Sequence, residues 1–228
     1  MVLVHGLGGC GKSRLLGHFR DMAEGKTPGS PVQAGSVRTA WLDWEDEQAN
    51  DPVRYAGMTG PNLVTVLDAV QKAAIGAVGK ERDDQRAVQA FGDYRRAAAR
   101  MPEYAARFAG VLSQSKHPAS AFTVEDAAIL LKAAASSGLV ALGHPGGLLG
   151  LTPDQLATVA QAGGHLSAAA TRAVTGKKPE ELSPQEYDLV TDPARELTRR
   201  AADALRTIAS PIPLLMLLDT GSVIQNPT

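Results

Sequence analysis

The chain lacks most of the features that betray a protein's surroundings. It has a single cysteine, Cys10, in 228 residues, which excludes an internal disulfide framework and any multi-cysteine metal site and fits a reducing cytoplasm. It has no excess of one charge: 23 basic against 24 acidic residues leave a formal net charge of −1, so the usual electrostatic argument for nucleic-acid or anionic-membrane binding falls away. No apolar run approaches the roughly 18–20 residues of a membrane-spanning helix. The opening Met1-Val2-Leu3-Val4-His5 has no basic lead and no cleavable apolar stretch, so no secretory signal is expected. Aromatics make up only 4% of the chain while alanine is abundant, so helices should pack through small residues rather than aromatic anchors. What is there, 44% hydrophobic and 21% charged residues, suffices for one large globular domain or two small ones.

The first dozen residues are the most informative. Val2 to Val4 reads as a short buried parallel strand running straight into Gly6-Leu7-Gly8-Gly9-Cys10-Gly11-Lys12-Ser13. Leu15, Leu16, Phe19 and Met22 follow at helical spacing. The segment matches G-x-x-x-x-G-K-[ST] at every fixed position, in the strand–turn–helix context that such a loop requires. Glycines let the backbone wrap a phosphate chain, and successive N–H groups with the helix N-terminus supply positive potential. Lys12 is expected to reach the β- and γ-phosphates and Ser13 to offer its hydroxyl to Mg²⁺; Gly6, Gly8, Gly9, Cys10, Gly11 and Arg14 complete the binding segment. Cys10, though near a helix N-terminus, reads as a small filler rather than a nucleophile.

Residues 25–36 read as a surface loop, and a second strand follows over Val37-Arg38-Thr39-Ala40-Trp41-Leu42. It ends at Asp43-Trp44-Glu45-Asp46-Glu47, where ligands bind in open parallel sheets. Asp43 is a candidate metal ligand there and Glu45 a candidate base for the attacking water, although the cluster reads more readily as a solvated acidic loop opening a helix or as a partner surface. A helix is expected over 63–79, then a nearly all-helical stretch from 82 to 210, with a break at Met101-Pro102. Thr123 with Asp126 resembles a capping box, and Thr152-Pro153, Ser183-Pro184 and Asp192-Pro193 each read as a cap followed by a first-turn proline. His5, His117, His144 and His165 show no metal-ligand spacing, and Arg95, Arg96, Arg100 and Arg107 read as a basic helix face.

A third strand, Ile212-Pro213-Leu214-Leu215-Met216-Leu217-Leu218, ends in Asp219. An acid at the tip of a buried strand is the Walker B pattern, in which a carboxylate holds Mg²⁺ or its water opposite the phosphate loop. Thr220-Gly221 follows instead of the acid that often serves as hydrolytic base.

At Gly6–Leu16 and at Pro213–Asp219 the sequence resembles the STAND ATPases, signal-transduction nucleoside triphosphatases with numerous domains. The resemblance implies ATP-dependent switching between closed and assembled states, with Lys12 and Ser13 on phosphate and Mg²⁺ and Asp219 on the metal. The chain departs from that family in its long helical stretch and in lacking the sensor strand, its Arg and the downstream helical and winged-helix parts. The dimerising partition and nitrogenase-type ATPases share G-G-x-G-K-S but need a Lys where Leu7 stands.

The resulting expectation is an α/β protein with a parallel-sheet P-loop core and a large helical insertion: 1–81 as the first part of the core, 82–210 as the insertion, 211–228 as the Walker B strand and the start of what remains. Three strands fall short of the roughly five such a sheet needs, so an N-terminal portion of a longer chain is expected. Its cofactors would be ATP and Mg²⁺. Its partners would be nucleotide, and a protein partner or further domains, with nucleotide-dependent self-association; neither membrane nor nucleic acid is expected, and the location is cytoplasmic. Two other readings stay open: a nucleotide-dependent phosphotransferase whose acceptor sits on residues 43–47, and a silent module that holds nucleotide while the insertion binds a protein.

Overall fold

The computed structural model describes residues 11–44, 47, 63–79, 81–114, 121–137 and 165–219. They form helices α1 (Lys12–Ala23), α2 (Leu63–Gly76), α3 (Glu81–Ala90), α4 (Gly92–Gln114), α5 (Val124–Ser137), α6 (Ala168–Thr175), α7 (Pro184–Thr191) and α8 (Pro193–Ala209). Two strands, β1 (Arg38–Asp43) and β2 (Leu214–Asp219), pair in parallel, with Arg38 opposite Leu214 and Asp43 opposite Asp219. Contacts divide the described residues into two units, one drawn from Met1–Pro61, Thr65–Gly92 and Ala201–Thr228, the other from Asn62–Val64 and Asp93–Arg200. No helix among the described residues is long and apolar enough to cross a membrane.

In the first unit the sheet separates two environments, as the two-residue period of a strand demands. Leu42 is buried with Trp44 against Ala69 and Val70 of α2, and Val66, Ala73, Leu205 and Met216 close around them. On the other face α1 packs against both strands. The Arg20 guanidinium lies 5.3 Å from the Trp41 ring centroid, and Thr39 donates its hydroxyl to Glu24 Oε1 at 2.5 Å.

Helix α1 ends in a turn that only glycine suits. Gly25 has φ +70°, and a Cβ there would meet the Ala34 nitrogen at 2.8 Å. The loop then folds back, with the Ser30 hydroxyl donating to the Met22 carbonyl at 2.8 Å.

In the second unit α4 buries Tyr94, Ala97, Met101, Tyr104, Phe108 and Val111, a stripe at three- and four-residue steps. Pro102 sits inside this helix, on its exposed side. The break expected at Met101-Pro102 is absent, and the division falls between Ala90 and Gly92. The stripe runs through residue 102 without interruption, so tertiary packing outweighs the backbone bond that proline removes, a cost of about 3 kcal/mol in an isolated helix.

Asp126 links two helix starts. Fully buried, its carboxylate accepts the Thr123 N–H and hydroxyl at 2.9 Å each, and the Ser167 N–H at 2.7 Å and hydroxyl at 2.8 Å. Burial raises the pKa of this carboxyl, but the Ser167 and Thr123 hydrogen bonds outweigh burial and hold it below the ordinary value of 3.8. Ser183 forms a second capping box with Glu186, and Asp192 accepts the Arg195 N–H at 3.2 Å.

Candidate functional site

Strand register determines which acids meet. Asp43 and Asp219 are the last residues of β1 and β2 and stand opposite one another, so the sheet ends in two carboxylates side by side. Thr39 and Trp41 face α1. By strand alternation Asp43 shares their face, and by register Asp219 does too. Asp219 is 8% exposed and Asp43 half-buried.

Helix direction then brings the motif residues to the same end. Arg20 contacts residue 41 and Glu24 contacts residue 39, so α1 runs opposite to β1. From Arg20 back to Ser13 is about 10 Å of helix at 1.5 Å per residue. From Trp41 to Asp43 is about 7 Å of strand. The first turn of α1 therefore lies toward the acidic end of the sheet, on the face that carries Asp43 and Asp219.

That first turn is opened by Gly11, which takes the left-handed conformation at φ 83° and ψ 20° and serves as N-cap without a side-chain hydrogen bond. Its carbonyl accepts the Leu15 N–H at 3.0 Å. A left-handed residue is the usual reason for glycine before a helix that must start abruptly. Lys12 begins the helix, although its side chain lies outside the description; Ser13 and Arg14 are exposed. Gly6, Gly8, Gly9, Cys10 and Glu45, together with His5, His117 and His144, lie outside the described residues.

After Asp43 the chain turns at once into the core. Trp44 is 2% exposed within the α2 cluster, and Glu47 accepts a hydrogen bond from Lys72 Nζ of α2 at 2.7 Å. Sequence reading had no signal for this ion pair, because the two residues are 25 positions apart.

Among the described residues no three His, Cys, Asp or Glu gather into a cage for a metal ion. Two carboxylates paired at one strand end fit the other mode of cation binding. Mg²⁺ keeps several waters and is held by one or two carboxylates together with the phosphates of its ligand.

The other candidates have structural duties. His165 is exposed and its Nδ1 lies 3.2 Å from the Tyr187 hydroxyl oxygen, which accepts the Leu166 N–H at 2.9 Å. Arg96 pairs with Asp93, Arg100 with Glu186 at 3.4 Å and Arg107 with Glu103 at 2.5 Å, so acids of the same unit answer much of the basic face. A shallow, open pocket of about 20 Å³ bordered by Arg38 and Arg86 lies at the amino end of β1, away from the acidic end. Compared with known proteins, the chain matches no family model, no curated protein and no solved structure.

Proposed function

We propose that this chain is the Mg²⁺-dependent ATP-binding switch module of a STAND-like regulatory protein, hydrolysing slowly. The supporting observation is the common direction: α1 runs antiparallel to β1, so its start, which completes G-x-x-x-x-G-K-[ST], lies on the face of the parallel sheet that carries the paired Asp43 and Asp219 and toward the same end. In this reading Gly6–Gly11 wrap the phosphates with their backbone N–H groups, and Lys12 neutralises the β- and γ-phosphates. Ser13 and Asp219 hold the cation, with Asp43 beside them. When bound, Mg²⁺ would offset phosphate charge and fix the orientation of the triphosphate. Glu45 orients the attacking water. With Thr220 and Gly221 directly after Asp219 no acid stands there to strengthen that step, hence slow turnover. Nucleotide occupancy would then govern self-association or the docking of a protein partner or further domains.

Calorimetric titration of ATP and GTP, with and without Mg²⁺, into wild type and Lys12→Ala tests the reading. Mg²⁺-enhanced binding of ATP that Lys12→Ala abolishes is the expected result. A folded wild type that binds neither nucleotide rejects it.

A further inference from the structure

We propose that α2 positions the acidic end of β1 for the candidate site, acting through the Lys72–Glu47 ion pair and the buried Trp44 ring; this rests on the nucleotide reading above. A strand end frays unless something beyond it is anchored. Here Asp43 is tied on both sides. Before it, Leu42 stays in register with Leu218 and packs into the α2 cluster. Immediately after it, Trp44 enters the same cluster, and three residues further Glu47 meets Lys72 Nζ at 2.7 Å. The two anchors use adjacent parts of one helix, since Ala69, Val70 and Ala73 belong to the cluster that takes in the ring while Lys72 reaches out from the rim. The Glu47 side chain is 19% exposed and that of Lys72 66%, so the acid is held close to the protein by a cation that stays in solvent. Such a pair adds little to stability. Its effect on a neighbouring carboxylate is geometric, as with the outer partners that orient metal ligands.

The two tryptophans of the chain, Trp41 and Trp44, bracket this end of β1 in sequence, so intrinsic emission reports on it directly. The experiment is a titration of Mg²⁺ into the full chain at saturating ATP, followed by tryptophan emission and calorimetry, for wild type, Lys72→Met, Glu47→Gln and Lys72→Arg. Lys72→Met and Glu47→Gln should each weaken the apparent Mg²⁺ affinity about fivefold, the ceiling set by an exposed ion pair. Lys72→Arg should restore it, while ATP affinity without Mg²⁺ and the melting temperature stay near wild type. Unchanged Mg²⁺ affinity in Lys72→Met overturns the positioning role and leaves the nucleotide reading intact. An equal loss of Mg²⁺-free ATP binding also overturns it, by showing a general structural role. A folded wild type that binds no ATP overturns both.

Discussion

Replacing Asp126 with Asn removes one charge and two lone pairs from a group that caps two helices at once. The carboxylate accepts four hydrogen bonds, from the N–H and hydroxyl of Thr123 and of Ser167, at 2.7–2.9 Å. An Asn can keep its oxygen on the Ser167 N–H, but its amide then faces the Thr123 N–H donor to donor. Leaving that part-buried N–H unmet costs about 1–3 kcal/mol. The remaining bonds lose their charge assistance, and the two helix N-termini lose a nearby anion worth about 0.3–1 kcal/mol each. The sum is a destabilisation of about 3 kcal/mol at neutral pH. The sign of its pH dependence follows from the lowered pKa. A carboxyl held below its ordinary 3.8 contributes stability above that value and loses it as pH falls through the folded-state value. The gap between wild type and Asp126→Asn should therefore be full at pH 7 and should narrow below pH 3.8. Urea unfolding followed by far-UV circular dichroism measures it, and at a slope of about 2 kcal/mol/M the midpoint shifts by about 1.5 M. A shift under about 0.5 M, or one that is the same at pH 7 and pH 3, would refute the double-cap account.

Substitutions at four other positions follow from the structure. Gly25→Ala forces a side chain into a left-handed residue 2.8 Å from the Ala34 nitrogen and should cost about 1–3 kcal/mol, read as a lower melting temperature. Pro102→Ala returns an N–H to the exposed side of α4 and should stabilise by about 1–2 kcal/mol; a loss of stability would mean that the proline is packed rather than tolerated. Glu196, 3% exposed, accepts Arg199 Nε at 2.8 Å and Arg200 Nε at 2.8 Å, so Glu196→Ala should destabilise by about 2–3 kcal/mol in chemical denaturation. Substituting Arg199, which is 46% exposed, should cost much less.

Local rules carried the reading of single elements and failed where distant residues decide. The strand expected over 37–42 appears as Arg38–Asp43, and that over 212–219 as Leu214–Asp219, because short apolar runs bounded by turn residues are local signals. The caps at Thr123, Ser183 and Asp192 were equally legible, since a cap and its partner lie within three positions. Pro102 misled because its exclusion from helices is a rule about the backbone alone, and the stripe from Tyr94 to Val111 overrides it. Ser167 completes the Asp126 site from 41 positions away, beyond the reach of any spacing rule. Of the candidate site, the sequence marked Gly11, Lys12, Ser13, Asp43 and Asp219 one by one. That Asp43 stands opposite Asp219 depends on strand register, which two apolar runs do not encode by themselves. The Lys72–Glu47 pair depends on how α2 lies against the sheet.

The central claim is that the start of α1 and the acidic sheet end serve one nucleotide and one cation. Equilibrium binding of ATP to wild type and Asp219→Asn, each with and without Mg²⁺, tests it most directly. The account predicts that Asp219→Asn binds Mg²⁺-free ATP within about twofold of wild type but loses about tenfold or more of the Mg²⁺ enhancement. An enhancement equal to that of wild type would contradict it.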